Sequence, residues 1–376
     1  MNNKLLYITQ VLIIQIILIS SCGQDDVKYC TNEIDIDTLC CETLSVSKMI
    51  DSVVLIPLET NKHCLLSHPN KLIATNHCLL ICDSNEGVDN VFLFDKSGRY
   101  KEKIGDIGHG KGEYISVWDV AIDRTGDSIV VADSGGKILI YDSNGKFLFS
   151  KNSCCEGSII TQVGKFSSGF VMSTEYMGAS HQIHVYDSKL NLISELLPTN
   201  DAKSGYPNYE LNKMRIDNDV LYYLDYHNST FYVVDLKSNV GSYQNFKFVG
   251  DNMQSLDKIS QNNKGLYNAL EGFFLENGNV ICYVKQDGIK IATLKINPAK
   301  KSVDKLVYDD YLPIFMDCYD GYYYSIISQI DLLNIIECKE DDSYITKQIR
   351  RAYQLGGYEI NEKSNFVVIK MKMSCK

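Results

Sequence analysis

One pattern recurs along the chain at an almost constant interval. An apolar, strand-like run ends in an aspartate and is followed by a polar turn, and this happens at Asp95, Asp142, Asp187 and Asp235. The four aspartates are separated by 47, 45 and 48 residues. A period of about 40 to 50 residues that contains only β-segments is typical of a β-propeller, in which each period forms one four-stranded blade. The spacing therefore predicts an all-β ring of blades.

The residues after the repeated aspartates are suited to tight turns. A glycine follows three positions after Asp95 and after Asp142, at Gly98 and Gly145. An aspartate side chain can accept a hydrogen bond from the backbone two residues on, and glycine adopts the positive φ that closes a tight hairpin. Aspartate-rich turns also recur by chance in all-β proteins. Three near-equal spacings, each after a strand-like run, argue against chance.

Counting the strand-like segments gives six blades. The first four cover about residues 70–105, 116–150, 158–197 and 211–249. The fifth combines residues 269–275, 280–285, 289–296 and 303–308, and the sixth contains residues 312–318, 322–328 and 332–338. Two polar insertions, residues 250–267 and 339–362, are expected to cover one face of the ring.

Two further strand-like segments lie near the ends of the chain, at residues 53–58 and 366–371. Pairing them within one blade would close the ring and hide the strand edges that an open sheet exposes. The predicted fold is therefore a six-bladed β-propeller with four-stranded antiparallel blades, closed by pairing of its N- and C-terminal strands.

The first residues have the pattern of a targeting segment. Lys4 precedes an apolar run over residues 5–19, which is short for a membrane-spanning helix of about 20 residues. The run ends in Ile19-Ser20-Ser21-Cys22, which resembles the lipobox of bacterial lipoproteins. The resemblance implies cleavage before Cys22 and acylation of this cysteine, so that the protein is anchored to a membrane through lipid. An ordinary secretory peptide that happens to end near a cysteine is the alternative.

The residues after Cys22 are polar and acidic, reading Gly-Gln-Asp-Asp over residues 23–26. They resemble the signal that sends lipoproteins of one group of Gram-negative gut bacteria to the outer face of the outer membrane; a solvated tether is the simpler interpretation. We expect a lipoprotein signal peptide over residues 1–21, an acylated cysteine and flexible tether over 22–50, and the propeller over 51–376.

A second resemblance concerns the junction between the first two blades. Residues 95–100 are followed by Ile104-Gly105 and then by Gly-His-Gly-Lys-Gly-Glu-Tyr over residues 108–114. This stretch resembles six-bladed β-propeller lipoproteins related to NHL repeats and to TolB-like propellers, which usually have Gly-x-Gly-Pro-Gly-Glu-Tyr here; Lys111 replaces the proline. Residues 56–60 are similar to the first strand of that family. The resemblance covers about residues 50–376 and implies a fold and an envelope location, but no agreed activity.

Composition and motifs exclude several functions. The formal net charge of −10 argues against a nucleic-acid partner, because such a protein must neutralise phosphates. The glycine-rich residues 105–112 do not match a phosphate-binding loop, and we expect a structural turn there. The serine-hydrolase and zinc-protease motifs are also missing from the sequence. No cofactor is therefore expected from motifs.

The candidate ligand-binding residues are those placed near the predicted inner strands, which line the channel of a propeller. They are His109, Glu113, Tyr114, Trp118, Asp119, Tyr176, Tyr209, Glu210 and Glu271. Trp118 is the one tryptophan of the chain and is suited to stack on a sugar or a peptide. Packing between blades is an equally good interpretation of this ring.

Two functions remain open at this point. The first is a non-catalytic, envelope-anchored module that binds a glycan, a peptide or a partner protein of the outer membrane. The alternative is a hydrolase of the lactonase type, with a divalent metal held in the channel by acidic residues such as Glu113, Asp119, Glu210 and Glu271. Binding is favoured because no catalytic spacing stands out, and a fold alone does not determine function.

The lipobox resemblance predicts the effect of one substitution. Cys22→Ser removes the thiol that would carry the acyl chains, so we expect the variant to leave the membrane fraction and become soluble. Fractionation of cells that produce the wild-type and variant proteins measures this. A variant that stays in the membrane fraction as fully as the wild type would contradict the lipid anchor.

Overall fold

The computed structural model describes residues 30–35, 41–44, 50–85, 88–152, 159–175, 181–198, 213–225, 230–237, 243–249, 267–276, 278–286, 289–308, 315–338 and 343–373. The predicted signal peptide and Cys22 lie outside these residues, as does the insertion predicted at 250–267 except for its last residue, Tyr267.

Among the described residues, three strands precede the first blade: β1 (Cys30–Asp35), β2 (Cys41–Leu44) and β3 (Ile50–Pro57). The first three blades are four-stranded antiparallel sheets in chain order. Their strands are β4 (Pro69–Ala74), β5 (Cys78–Asn85), β6 (Val88–Asp95) and β7 (Tyr100–Lys103) in blade 1; β10 (Val117–Ile122), β11 (Ser128–Asp133), β12 (Lys137–Asp142) and β13 (Phe147–Asn152) in blade 2; and β14 (Ile159–Phe166), β15 (Gly169–Glu175), β16 (His181–Asp187) and β17 (Leu192–Pro198) in blade 3. Between blades 1 and 2 the short strands β8 (Asp106–Ile107) and β9 (Glu113–Tyr114) pair in parallel.

Blades 4 and 5 repeat this order, and blade 6 is completed from both ends of the chain. The strands are β18 (Met214–Asp217), β19 (Val220–Asp225), β20 (Thr230–Asp235) and β21 (Tyr243–Val249) in blade 4; β22 (Tyr267–Glu276), β23 (Asn279–Gln286), β24 (Ile289–Asn297) and β25 (Ser302–Tyr308) in blade 5; and β26 (Asp317–Tyr319), β27 (Tyr322–Ile327) and β28 (Val367–Met373) with β3 in blade 6. The predicted six-bladed propeller is confirmed.

The predicted ring closure is also confirmed. Strand β28 lies between β27 and β3 in the sheet of blade 6. Val367 pairs with Pro57 and Met371 pairs with Val53 in an antiparallel register. The outermost strand of the last blade therefore comes from the N-terminal part of the chain.

The core consists of apolar layers between neighbouring blades. Six clusters of buried side chains occur in the described part of the chain, one at each of the six interfaces between blades. Leu93 of blade 1, for example, belongs to the same cluster as Val131 of blade 2. The middle strands are covered on both faces, and Ile129, Val130 and Val131 are each 0% exposed. Double-sided burial explains why these strands are continuous apolar runs rather than alternating ones.

The repeated aspartates have the turn role that the sequence predicts. The Asp95 carboxylate accepts hydrogen bonds from the backbone N–H groups of Ser97 and Arg99, at 2.8 and 3.0 Å. Asp142 and Asp187 accept the equivalent bonds from the residues two and four positions on. Each aspartate thereby closes the turn between the third and fourth strands of its blade.

Two strands lie within the segment for which we expected a flexible tether. Strand β1 adds in parallel to β21 at the outer edge of blade 4, and β2 adds in parallel to β25 at the outer edge of blade 5. With β3 on blade 6, the N-terminal segment contributes an outer strand to three successive blades. The sequence offered no signal for this, because these strands are short and polar.

The prediction of a strand over residues 332–338 is wrong. Residues 332–337 belong to helix α1 (Gln329–Glu337), and Cys338 is its C-cap. A second helix, α2 (Tyr344–Gly356), follows within the insertion predicted at 339–362. Ser328 caps α1 by accepting a hydrogen bond from the N–H of Asp331, and Ser343 caps α2 in the same way. The helices pack on blade 6 through Leu332 and Ile349. Neither of these helices combines the length and hydropathy needed to cross a membrane.

Gly98 offers a test of the contact that closes the ring. It adopts a φ of +87°, and a Cβ there would lie 2.2 Å from the carbonyl oxygen of Pro57 in β3. Gly136 has a similar φ of +77° but no atom within 4 Å of the Cβ position. We expect Gly136→Ala to lower the free energy of unfolding by about 1–2 kcal/mol through backbone strain alone. Gly98→Ala should cost about 1–3 kcal/mol more, because the new methyl group clashes with β3.

Urea unfolding of the two variants and the wild type, followed by fluorescence, measures both costs. Equal losses in the two variants would show that blade 1 does not depend on close contact with β3.

Candidate functional site

The first strand of each blade lines a central channel. Lys71 in β4 donates a hydrogen bond to Asp119 in β10, with an Nζ–Oδ1 distance of 2.7 Å. The second carboxylate oxygen of Asp119 accepts a hydrogen bond from the N–H of Val163 in β14. The Gln162 side chain in β14 accepts another from the N–H of Lys213, directly before β18. These bonds link the innermost strands of blades 1 to 4.

Asp317 at the start of β26 joins four blades through one carboxylate that is 1% exposed. Its Oδ2 accepts hydrogen bonds from the N–H of Ala74 in blade 1, at 2.8 Å, and from Arg124 in blade 2, at 2.7 Å. Its Oδ1 accepts a second bond from Arg124 at 3.0 Å and lies 3.5 Å from Nη1 of Arg215 in blade 4. Asp317 itself belongs to blade 6, so the ring is tied across its centre.

The pKa of Asp317 lies below its ordinary value. Burial by itself raises the pKa of this carboxyl, but the charge and hydrogen bonds of Arg124 outweigh that effect, with help from Arg215 and the N–H of Ala74. The group is therefore ionised at neutral pH. Removing one partner of a buried ion pair leaves the other charge uncompensated, which is costly.

A cavity of about 830 Å³ opens where the first strands of the blades end. We call it the mouth cavity, and the face on which it opens the mouth face. Its lining comes mainly from the turns between the first and second strands of several blades. The acidic residues of the lining are Asp123, Asp127, Asp217, Asp219 and Asp320, and the basic ones are Arg124, Lys165 and Lys237.

Two of the acidic residues are held by neighbouring groups. Asp219 accepts hydrogen bonds of 2.7 Å from the N–H and from the hydroxyl of Ser167, and it lies 3.0 Å from Nζ of Lys237. Asp123 accepts bonds from the N–H groups of Gly126 and Asp127 within its own turn. Their carboxylates are thus fixed in position at the wall of the mouth cavity.

Tyr319 adds an aromatic ring to the lining of the mouth cavity. Its hydroxyl donates a hydrogen bond of 2.7 Å to Asn76 in the corresponding turn of blade 1. The guanidinium of Arg124 lies 5.0 Å from the ring centre. The ring is therefore fixed from two sides, beside the carboxylates of the mouth cavity.

A smaller cavity of about 60 Å³ lies deeper between the inner strands of blades 1 to 4. We call it the channel cavity. It shares the lining residues Asp123, Arg124, Lys165 and Ile216 with the mouth cavity. Four of its described lining residues are basic, namely Lys71, Arg124, Lys165 and Arg215.

The arrangement at the mouth face is suited to binding a polar ligand. Carboxylate oxygens accept hydrogen bonds from hydroxyl and amine groups, and an aromatic ring packs against the apolar face of a sugar or a side chain. Within the described ranges, no three His, Cys, Asp or Glu side chains lie close enough together to hold a metal ion.

Several residues predicted from the sequence lie toward the opposite face. Glu113 and His109 precede β10, whereas the mouth cavity follows the end of that strand. Glu113 accepts a hydrogen bond from the N–H of Gly110 and so closes the glycine-rich loop, while His109 is exposed. Tyr114 is 0% exposed within the cluster between blades 1 and 2.

The other predicted residues are distributed differently. Trp118 is half-buried and packs against the cluster between blades 2 and 3, and Asp119 pairs with Lys71 in the channel. Glu271 lies in β22, but its side chain is outside the described part. Tyr176, Tyr209 and Glu210 lie outside the described residues altogether.

Sequence reasoning did not select Arg124, Asp317 or Tyr319. Arg124 lies in an Asp-Arg-Thr-Gly-Asp turn, and Asp317 and Tyr319 precede an Asp-Gly turn. Both turns end the innermost strand of a blade, so a search for charged residues at those turns would have found them. That search needs the strand order of each blade, which only the structure gives.

One known protein family matches nearly all of the fold described above. The model of a family described as a domain of unknown function, DUF4934, matches residues 31–372. The chain belongs to the DUF4934 family. The match begins in β1 and ends in β28, so the DUF4934 unit includes the added N-terminal strands as well as the six blades.

Solved structures share the fold of this DUF4934 chain at low sequence identity. A protein of Bacteroides fragilis described as exported has 17% identity and a TM-score of 0.63, over 92% of this chain and 100% of that one. A member of the DUF4221 family from Bacteroides vulgatus has 9% identity and a TM-score of 0.53, over 86% of this chain and 97% of that one. A search of curated proteins found no match.

The hydrogen bonds and ion pairs of Asp317 predict how two substitutions change the free energy of unfolding. Asp317→Asn removes the charge that balances Arg124 and Arg215, so we expect a loss of about 3–5 kcal/mol in the free energy of unfolding. Asp320→Asn, three positions on at an exposed site, should change it by less than about 0.5 kcal/mol. Urea unfolding at pH 7 measures both.

The lowered pKa of Asp317 fixes the sign of the pH dependence. Its contribution is present above the unfolded-state pKa of about 4 and is lost as the pH falls through the lower folded-state pKa. The stability gap between the wild type and Asp317→Asn should therefore narrow below about pH 4. A gap that stays constant down to pH 2 would contradict an ionised Asp317.

Proposed function

We propose that this DUF4934 protein is an exported, lipid-anchored and non-catalytic module that binds a polar ligand, in the first place a glycan, in the mouth cavity. The observation that carries the proposal is the mouth cavity itself, which combines about 830 Å³ of space with fixed carboxylates and the ring of Tyr319. Sites that bind hydroxyl-rich ligands use the same combination of acceptors and an aromatic surface.

Three observations support the location in the envelope and the side of the membrane that the protein faces. The lipobox-like residues that end in Cys22 suit a lipid anchor. The Bacteroides fragilis protein that shares the fold is described as exported. The acidic residues after Cys22 favour display on the outer face of the outer membrane.

The lactonase-type alternative has less support from the described channel. The two buried carboxylates there each face cations, Asp119 with Lys71 and Asp317 with Arg124 and Arg215. A carboxylate committed to an ion pair is a poor ligand for a divalent metal.

Substitution of Tyr319 tests the proposed function. A glycan and peptide array probed with the propeller domain identifies a ligand, whose affinity is then measured by calorimetry. We expect Tyr319→Ala to weaken binding at least tenfold, because the ring is lost, whereas Tyr319→Phe should keep most of the affinity.

Lys101→Met serves as a control for this experiment, since Lys101 is exposed on β7, away from the mouth cavity. If Tyr319→Ala does not change the affinity, the ligand does not bind in the mouth cavity. If the array yields only a peptide, the ligand is a peptide and not a glycan. If the protein converts the ligand into a product, the non-catalytic role is wrong.

A further inference from the structure

Most of the charged residues that line the channel cavity are basic. Its described lining holds four basic residues, contributed by four blades, and one acidic residue, Asp123. Asp123 is engaged by the backbone of its own turn. Basic residues therefore outnumber acidic ones in the described lining, although Lys71 also pairs with Asp119, and Arg124 and Arg215 pair with Asp317.

The buried aspartates beside the channel do not use up the donors of these basic groups. Lys71 gives one hydrogen bond to Asp119, although an ammonium has three donors. Lys165 donates to the carbonyl oxygen of Phe166 and lies 5.2 Å from the ring centre of Phe170. Each of these ammonium groups keeps donors for a further partner.

Arg215 provides a separate observation. Its side chain is only 10% exposed, and its Nη2 donates a hydrogen bond to the carbonyl oxygen of Met316. Its Nε is buried without a hydrogen-bond partner among the described residues. A buried donor without a partner is costly, so it indicates a group that occupies the cavity in the working protein.

The size of the channel cavity limits what this group can be. On the same measure one water needs about 10–15 Å³, so a volume of about 60 Å³ accepts more than a single water. A single carboxylate, sulfate or phosphate group is of suitable size for it.

We propose that the channel cavity is a binding site for one small oxyanion, held by Lys71, Lys165 and Arg215. The anion is either free in solution or the acidic group of a ligand whose remainder occupies the mouth cavity, since the two cavities share Arg124 and Lys165. In the second case the inference rests on the proposed function and narrows the ligand to an acidic one. The aspartates of the mouth then face the neutral, hydroxyl-bearing part of that ligand.

Calorimetric titration of the propeller domain at constant ionic strength tests this, with sodium sulfate and trigalacturonate as separate probes. We expect saturable binding of one sulfate per chain. Lys165→Met should weaken it at least tenfold, because the variant removes an ammonium group that donates to the carbonyl oxygen of Phe166 and keeps donors for the anion. Lys101→Met removes an exposed lysine and should leave the affinity unchanged.

Arg215→Lys is the second variant. It keeps a positive charge for Asp317 but removes Nε. The variant should therefore fold, but it should bind sulfate more weakly than the wild type. Circular dichroism checks the fold of each variant. Trigalacturonate that competes with sulfate indicates an acidic ligand in both cavities, whereas sulfate binding alone indicates a free anion.

The absence of saturable binding of either probe to the wild type would overturn the proposal, as would equal affinities in the wild type, Lys165→Met and Arg215→Lys. These outcomes are independent of the glycan array, because sulfate binding does not require a ligand in the mouth cavity. The failure of one proposal can thus be told from the failure of the other.

Discussion

The buried carboxylate of Asp317 is the interaction on which the centre of the ring depends. A carboxylate that is almost fully removed from water is unfavourable unless charges and hydrogen bonds compensate it, and here the compensation comes from three other blades. These contacts of Asp317 also position part of the protein surface, because Tyr319 and the turn after it lie within four residues of Asp317. The wall of the mouth cavity is therefore positioned by the same contacts that hold the blades together.

Much of the fold could be predicted from the sequence, and the reasons are local. Each repeated aspartate marks one blade. Asp95, Asp142 and Asp187 close their turns by accepting hydrogen bonds from the backbone two and four positions on, and Asp235 accepts one from two positions on. The segment at 332–338 was misread because a short apolar run fits a buried strand and a helix equally well. The better signal was Ser328, three residues before Asp331, which is typical of a helix N-terminus.

The site could not be predicted in the same way. Arg124 and Asp317 are 193 residues apart and meet only because the ring closes. The glycine-rich loop drew attention to Glu113, whose carboxylate holds that loop together. Residues before a first strand and residues after it lie at opposite faces of a propeller, so the direction of the strand decides which of them share a cavity. That direction is a property of the folded blade and has no mark in the sequence.

The strand that the N-terminal segment adds to blade 4 also determines a distance. Cys30 pairs with Gln244 at the start of β21, which follows the turn that brings Lys237 to the mouth cavity. Cys22 precedes Cys30 by 8 residues, and a chain of this length spans at most about 29 Å when fully extended. A lipid on Cys22 would hold the mouth face of blade 4 within that radius of the bilayer surface. A ligand of the mouth cavity would then be bound close to the membrane, on the side of the ring where the segment from Cys22 to Cys30 begins.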